Sequence, residues 1–294
     1  MARALRSLAA GVALTAAAAS FAQVPDVVAH VDLRITYYVQ PGGDGRLQAW
    51  DSLGRLSTVG LQFFLEPGLE AFFSQRFDVP SGSSDTSQVD EMYVEDPGYW
   101  RFGKQALPFG NGAILDDRAM GVRLHTKFSG AGIPLVVAGC DELPGRQEGL
   151  IGRLGSKVGF SFALGRHFGI DVGSLAILRL PTEFKSRGEG YRQALGGDYA
   201  AKLGIWRIEL EAAWFDRGHT AADPDLVVTD LRARLSPNVA KSFELAWSRD
   251  WKDGSDFYSA SGRFQVAPAT WIEPRVRMKG GRTLDFALTV HVRL

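Results

Sequence analysis

The sequence predicts an all-β protein, specifically a transmembrane antiparallel β-barrel of sixteen strands, with fourteen as the alternative because the ninth and tenth strands are weak. Three observations predict this fold class. Apolar and polar residues alternate along most of the chain, the alternating segments are as long as a tilted strand needs to be to cross a bilayer, and long and short connections alternate between them.

The alternation is clearest at the carboxyl end. Every even position from Leu284 to Leu294 is apolar, whereas the odd positions include Asp285, His291 and Arg293. Successive side chains of a strand point to opposite faces, so this segment has one apolar and one polar face. A soluble sandwich would also alternate, but the many full charges on the polar faces favour a watery lumen. Such strands must pair all round, because hydrocarbon satisfies no unpaired backbone.

The connections give an independent indication. Links after odd-numbered strands run long and links after even-numbered strands run short, which predicts short periplasmic turns, moderate extracellular loops and an amino terminus in the periplasm. The predicted strands begin near Val27, Leu56, Leu69, Val89, Tyr99, Arg118, Ile133, Leu154, Val172, Ala194, Ile205, Leu226, Val239, Phe257, Thr270 and Leu284.

The first 22 residues have the pattern of a secretory signal peptide. Arg3 and Arg6 precede a short apolar run, and Ser20-Phe21-Ala22 places small residues at a cleavage site. A transmembrane anchor is the alternative, but the run is short and rich in alanine. We expect residues 1–22 to be cleaved and residues 23–294 to form a single barrel domain.

Composition and motifs argue against several function classes. The chain has 33 basic and 33 acidic residues, whereas a nucleic-acid-binding protein would show a basic excess. The single cysteine, Cys140, closes no intramolecular disulfide and supplies no multi-cysteine zinc site. The motifs HExxH, GxSxG, GxxxxGK[ST] and CxxC do not occur in the sequence. We therefore expect no cofactor and no metal.

Two other functions stay open for a barrel of this length. One is an outer-membrane enzyme of the phospholipase or protease type, which needs a nucleophile beside a base. None of the five histidines has a serine two residues away on the same strand face, so we expect no catalytic residues. The other is a closed structural barrel, for which longer outer loops would be expected.

One segment carries a resemblance to a known family. The stretch from Val89 to Gly110, VDEMYVEDPGYWRFGKQALPFG, resembles bacterial outer-membrane porins and especially the phosphate-selective porin family. The matching residues are Gly103, Lys104, Gln105, Pro108, Phe109 and Gly110. The last strand also resembles the outer-membrane insertion signal of such proteins, although it ends in Leu294 where phenylalanine is usual.

The resemblance implies a passive diffusion channel in the outer membrane, surrounded by lipid and assembled as a homotrimer. It also implies that the loop after the fifth strand folds inward. That loop is Asn111 to Gly121 here, with Asp116, Asp117 and Arg118 as the charged candidates for a constriction. An ordinary exposed turn with solvated charges is the alternative.

Strand parity gives the candidate pore-lining residues. Charges of both signs share the inner face, so we predict weak ion selectivity with a lean towards small anions, and passage of other small hydrophilic solutes. A dedicated phosphate pore would need an arginine ladder with fewer competing carboxylates. The candidates are Arg34, Arg101, Arg123, Lys127, Arg207, Glu209, Glu211, Asp230, Arg232, Arg234, Arg263, Glu273, Arg275 and Arg277.

Overall fold

The computed structural model describes residues 26–48, 57–77, 87–115, 118–128, 133–142, 147–166, 193–216, 225–252 and 254–294. These residues form one antiparallel sheet of seventeen strands, which confirms the predicted all-β antiparallel class. The predicted signal peptide lies outside the described residues. Within the described part, no helix is long and apolar enough to cross a membrane.

The strands follow one another along the chain with few interruptions. They are β1 (Asp26–Val39), β2 (Arg46–Gln48), β3 (Ser57–Glu66), β4 (Leu69–Phe77), β5 (Ser87–Asp96), β6 (Trp100–Ala106), β7 (Arg118–Phe128), β8 (Ile133–Glu142), β9 (Gln147–Gly155), β10 (Val158–Arg166), β11 (Gln193–Leu203), β12 (Trp206–Asp216), β13 (Leu226–Asn238), β14 (Lys241–Asp250), β15 (Ser255–Ala267), β16 (Thr270–Lys279) and β17 (Arg282–Arg293).

Each strand from β3 onwards pairs with the next strand along the chain. The first strand has three partners: its residues 26–32 pair with β3, its residues 36–38 with β2, and its residues 32–39 with the last strand, β17. The Thr36 and Thr289 hydroxyls, on directly opposed residues of β1 and β17, are 2.7 Å apart and hydrogen-bonded. Strands from the two ends of the chain are therefore joined through backbone and side chains.

The two faces of the sheet differ in an unusual way. Large apolar side chains such as Ile35, Leu245 and Phe286 are exposed, whereas charged ones such as Asp230, Arg232 and Asp285 are buried. A soluble protein ordinarily buries the first kind and exposes the second. We call the face that carries Thr36, Asp230 and Asp285 the polar face, and the opposite one the apolar face.

The connections are unequal at the two ends of the sheet. Turns of two or three residues at 67–68, 97–99, 156–157, 204–205, 239–240 and 268–269 all lie at one end, which we call the tight-turn end. The opposite end carries the longer connections, together with the short turn at 280–281. Short and long links therefore alternate in the described chain as the sequence predicts.

One stretch of the predicted strand order is wrong. A single strand was expected to start near Leu154, but β9 and β10 meet there in a turn at 156–157, where Gly155 has a φ of +108°. Glycines at 149, 152 and 155 carry no side chain, so they hide the alternation of β9. The strand expected near Val172 lies outside the described residues.

Candidate functional site: a segment that covers the polar face

The residues between β6 and β7 do not form a simple turn. Residues 107–115, which we call the covering segment, leave the end of β6 and pack on the polar face of β9 to β13. Several strands separate β6 from β12 in the sheet order, so the sheet must curve until these two parts of its polar face oppose each other. The covering segment thus extends from one part of the polar face to the part that opposes it.

The start of the covering segment is tied to the strands it leaves. The Ala106 amide donates to a Glu91 carboxylate oxygen at 2.9 Å, and the Arg123 guanidinium donates to the Ala106 carbonyl. The Gln105 side-chain amide donates to the Gly121 carbonyl at 3.0 Å. These bonds satisfy backbone groups where the β6–β7 ladder ends, so the exit direction of the chain is set by side chains of the wall.

Apolar side chains dock the covering segment on the opposite wall. Phe109, only 2% exposed, stacks on Phe215 with ring centroids 5.9 Å apart. Its ring fits because position 196 is glycine: a Cβ there would lie 2.8 Å from the Phe109 ring. Ile114 and Leu115 are also buried in this cluster. The wall side of the cluster consists of Ile151, Ala163, Ala194, Ala213, Phe215, Leu226, Val228 and Phe257.

Polar groups of the wall hold the backbone of the covering segment. One Glu211 carboxylate oxygen accepts hydrogen bonds from the Asn111 amide at 3.2 Å and the Ala113 amide at 2.9 Å. The Ser161 hydroxyl accepts one from the Gly110 amide at 2.9 Å, and the Arg232 guanidinium donates to the Ala113 carbonyl at 3.3 Å. A segment without regular structure is thereby supplied with the partners that buried backbone groups require.

Glycine is required at position 110 for two reasons. Its φ is +56°, in the left-handed region that other residues avoid. In addition, a Cβ there would meet a Glu211 carboxylate oxygen at 2.0 Å. The Pro-Phe-Gly end of the motif therefore supplies a rigid approach, an aromatic anchor and a close backbone contact in three consecutive residues.

The charges beneath the covering segment form a connected buried group. The Asp230 and Arg232 side chains pair at 2.7 Å, and the Ser248 hydroxyl donates to Asp230 at 2.8 Å. Asp198 pairs with Arg153 at 2.5 Å. Removing charges from water is costly, and these ion pairs and hydrogen bonds offset part of that cost, although Glu211 Oε1 and Arg232 Nη1 have no hydrogen-bond partner among the described residues. The predicted lining residues Glu211, Asp230 and Arg232 are buried, so they contact protein rather than solvent.

The predicted constriction charges are only partly described. Asp116 and Asp117 lie outside the described residues. Arg118 is the first residue of β7 rather than a loop residue, and its Nε lies 3.2 Å from an Asp90 carboxylate oxygen and 4.0 Å from a Glu91 one. The same Asp90 pairs with Arg76 at 2.5 Å. Arg118 therefore belongs to a network on the wall of β4, β5 and β7.

The strand register brings the other predicted lining residues to one face. Directly opposed residues include Arg101 with Arg123, Glu209 with Arg232, and Arg207 with Arg234. Most are ion-paired: Arg101 with Glu95 at 2.8 Å, Arg34 with Asp32 at 2.7 Å, Arg263 with Glu273 at 2.9 Å and Arg277 with Asp285 at 2.5 Å. Arg275 is nearly buried on the same face. Lys127 lies on β7, with its side chain outside the described part.

The sequence contained one signal of the docking surface that simple alternation missed. Ala212 to Phe215 on β12 and Leu226 to Val228 on β13 are consecutive apolar runs at the ends of otherwise alternating strands. An apolar residue on the polar face needs a cover, and Ala213, Phe215, Leu226 and Val228 are all buried. Ser161 and Gly196 gave no such signal.

The contacts of the described histidines give little support for catalysis or metal binding. His30 is hydrogen-bonded to Gln62 at 3.0 Å. His291 lies between Asp32, at 3.0 Å from Nε2, and Glu273, at 3.1 Å from Nδ1, an arrangement that suits an imidazolium donating from both nitrogens. None of these three partners is the serine that a phospholipase-type site would pair with histidine. No group of His, Cys, Asp and Glu that could hold a metal ion occurs among the described residues.

Comparison with known proteins places the fold. No family model matches the chain, and no curated protein matches its sequence. Solved structures do match. The match with the outer membrane channel DcaP of Acinetobacter baumannii (TM-score 0.60, 10% identity) covers 92% of this chain and 97% of the DcaP chain. Salmonella typhi OmpF, in complex with daunomycin (0.62, 8%), covers 92% and 98%. An anion-selective porin from Comamonas acidovorans (0.57, 13%) covers 92% and 99%. The chain therefore has the fold of outer-membrane porins over nearly its whole length.

Proposed function

We propose that this protein is an outer-membrane porin that lets ions and small hydrophilic solutes diffuse passively across the membrane. The observation that carries the proposal is the covering segment, packed across the polar face of a curved sheet whose other face is apolar and exposed. Charges along a lumen and a segment that narrows it are the features by which a channel selects its solutes. The porin fold of the matching structures supports the same function.

The sheet is a closed transmembrane barrel of sixteen crossing strands in this proposal, with the three-residue β2 as an extra pairing strand. The double pairing of β1 with β3 and β17 supports closure. Closure removes the free edges that hydrocarbon does not tolerate. The tight-turn end then faces the periplasm, and residues 1–22 are the cleaved leader that brings the chain there.

The covering segment forms the constriction in this proposal, and Asp116, Asp117 and Arg118, which follow it in the sequence, remain the candidate charges. The charged side chains of the wall that remain exposed to solvent then set the ion preference. Because carboxylates and arginines are paired over most of the polar face, selectivity is weak. The lean is towards anions, since Arg234 and Arg263 on this face are 40% and 38% exposed, whereas their carboxylate partners Glu244 and Glu273 are 15% and 17% exposed. The ring of charges at the narrowest part of the lumen, rather than the total charge of the wall, decides such a preference.

Lipid, a small anionic or neutral solute, and two further copies in a homotrimer are the proposed partners, as the resemblance to porins implies. An enzyme is not favoured by any contact of the described histidines. A closed structural barrel predicts the same wall but no current, so conductance separates it from the porin.

The test is the single-channel current of the refolded mature chain in a planar bilayer under a salt gradient. Stable current steps with a reversal potential at zero or modestly on the anion side are expected. Replacing residues 110–115 by a short Gly-Ser link should raise the conductance, because the lumen loses its constriction. A correctly folded, heat-resistant barrel without current steps would overturn the porin proposal, and a strong cation preference would overturn the selectivity.

A further inference from the structure

A basic cavity lies at the tight-turn end of the polar face, away from the covering segment. Its volume is about 520 Å³, and it lies between the turns at 204–205 and 239–240. Five cationic side chains line it, and no carboxylate is among its lining residues: the cations are Lys202, Arg207, Arg234, Lys241 and Arg263. Ser236, Asn238 and Ser242 add neutral hydrogen-bonding groups.

Three of the arginines are held in place by carboxylates outside the cavity. Arg207 donates through Nε to Glu209 at 2.8 Å, Arg234 to Glu244 at 2.9 Å, and Arg263 lies 2.9 Å from Glu273. A guanidinium has five N–H donors in a fixed fork, so the single carboxylate of the described part that Arg207 and Arg234 each contact leaves donors for a second anion. The arginine side chains nevertheless stay open to solvent: Arg207 is 56% exposed, Arg234 40% and Arg263 38%.

The balance of charge at this cavity is positive. The five cations exceed the three orienting carboxylates, Glu209, Glu244 and Glu273, by two charges. A second, smaller cavity of about 170 Å³ adjoins it and shares Arg234, Ser242 and Arg263. Its lining adds the cations Arg34, Arg275 and Arg293, and it also includes His291 and the carboxylates Glu244 and Glu273 that are already counted. The surplus is therefore local, whereas the whole chain carries equal numbers of acidic and basic residues.

The volume of the cavity indicates the size of the anion that it would hold. Ligand pockets for small organic molecules measure about 300–1,000 Å³. A cavity of about 520 Å³ thus holds far more than one inorganic oxyanion. Ile205, Trp206 and Val239 lie among its lining residues and supply apolar surface beside the cations.

We propose that this cavity is a binding site for a small organic solute with at least two negative charges, such as a sugar phosphate. This deepens the proposed function, because the site would hold such solutes at the periplasmic mouth, beyond the constriction. Bidentate arginine contacts suit phosphate and carboxylate groups, and the apolar rim suits the organic part. Neutral solutes of the same size should pass without being held.

The test measures binding of glucose 6-phosphate to the folded mature chain in zwitterionic detergent by titration calorimetry, with glucose as the uncharged probe. The variant K202Q/K241Q removes two cations that open into the cavity. The matched control, K252Q/K279Q, also removes two positive charges, but at the end of the sheet that carries the long connections. We expect about tenfold weaker binding for the first variant, little change for the second, and loss of binding in about 1 M salt.

Each outcome decides something about the cavity. No glucose 6-phosphate binding to the unaltered protein, or equal weakening in the two variants, would overturn the proposal. Displacement of bound glucose 6-phosphate by phosphatidylglycerol at trace concentration would assign the cavity to a lipid headgroup and overturn it as well. Binding without current steps would leave the cavity proposal standing and overturn the porin, whereas current steps without binding would do the reverse.

Discussion

The two ends of strand β12 show what a cover does to a polar face. At the end near the long connections, Ala213 and Glu211 lie beneath the covering segment and have lost almost all contact with solvent. At the tight-turn end, four residues from Glu211, Arg207 on the same face is 56% exposed. The strand and its alternation are the same throughout. The side chains that meet a solute are therefore chosen by what packs against the wall, and alternation alone does not reveal them.

The largest expected effect comes from removing Glu211, because it alone holds two amides of the covering segment. In Glu211→Ala the Asn111 and Ala113 amides lose a buried partner, at about 1–3 kcal/mol each. The covering segment should detach, and single-channel conductance should rise. Glu211→Gln keeps an acceptor oxygen and serves as the control. Equal conductance in all three proteins would mean that the carboxylate does not hold the segment.

Removing the aromatic anchor tests the apolar half of the same attachment. Phe109→Ala should weaken the packing on Phe215 by about 3–5 kcal/mol, since the cavity left behind adds to the lost burial. Faster hydrogen exchange of the segment amides and noisier current should follow. Phe160→Ala, on the exposed apolar face of β10, is the matched control and should alter neither. Identical behaviour of the two variants would contradict docking through Phe109.

The smallest expected effect is at the uncovered end, where ion pairs remain in contact with water. Arg207→Gln breaks the exposed pair with Glu209 and should change the free energy of unfolding by less than about 1 kcal/mol. Arg277→Gln breaks the buried pair with Asp285 and should cost about 3–5 kcal/mol. Urea unfolding in detergent micelles measures both. A larger cost for Arg207 would show that its surroundings are less hydrated than its exposure indicates.

Much of the fold could be predicted from the sequence, because period-two alternation is a local property. Strands such as β17 show it in every residue pair, and the register then brings Arg101, Arg207 and Arg234 to one face. The approach failed at the glycine-rich β9, because residues without side chains show no alternation of apolar and polar residues. Local patterns report the pleat of one strand and nothing of its neighbours.

The candidate site was predictable only in part. The Pro-Phe-Gly motif indicated where the chain leaves the sheet, but the contacts of Phe109 with Gly196 and of Glu211 with Ala113 join residues some 90 to 100 positions apart. Such pairings depend on how the sheet curves. The resemblance to porins made Arg118 a candidate for the constriction, and the structure shows it at the start of β7, where it pairs with Asp90 on the wall.

The double pairing of β1 also bears on how the chain is completed. Residues 32–39 of β1 pair with β17 along their whole length, with β2 beside residues 36–38, and Val31 and Leu294 exchange two further backbone bonds at 2.8 and 3.0 Å. A nascent chain that stops before residue 282 therefore lacks β17, the strand with which its first strand pairs. In the proposed barrel, its amide and carbonyl groups would stay unmatched in lipid, where each costs several kcal/mol. Insertion of that barrel would then wait for β17, because a chain without β17 leaves the first strand without this partner.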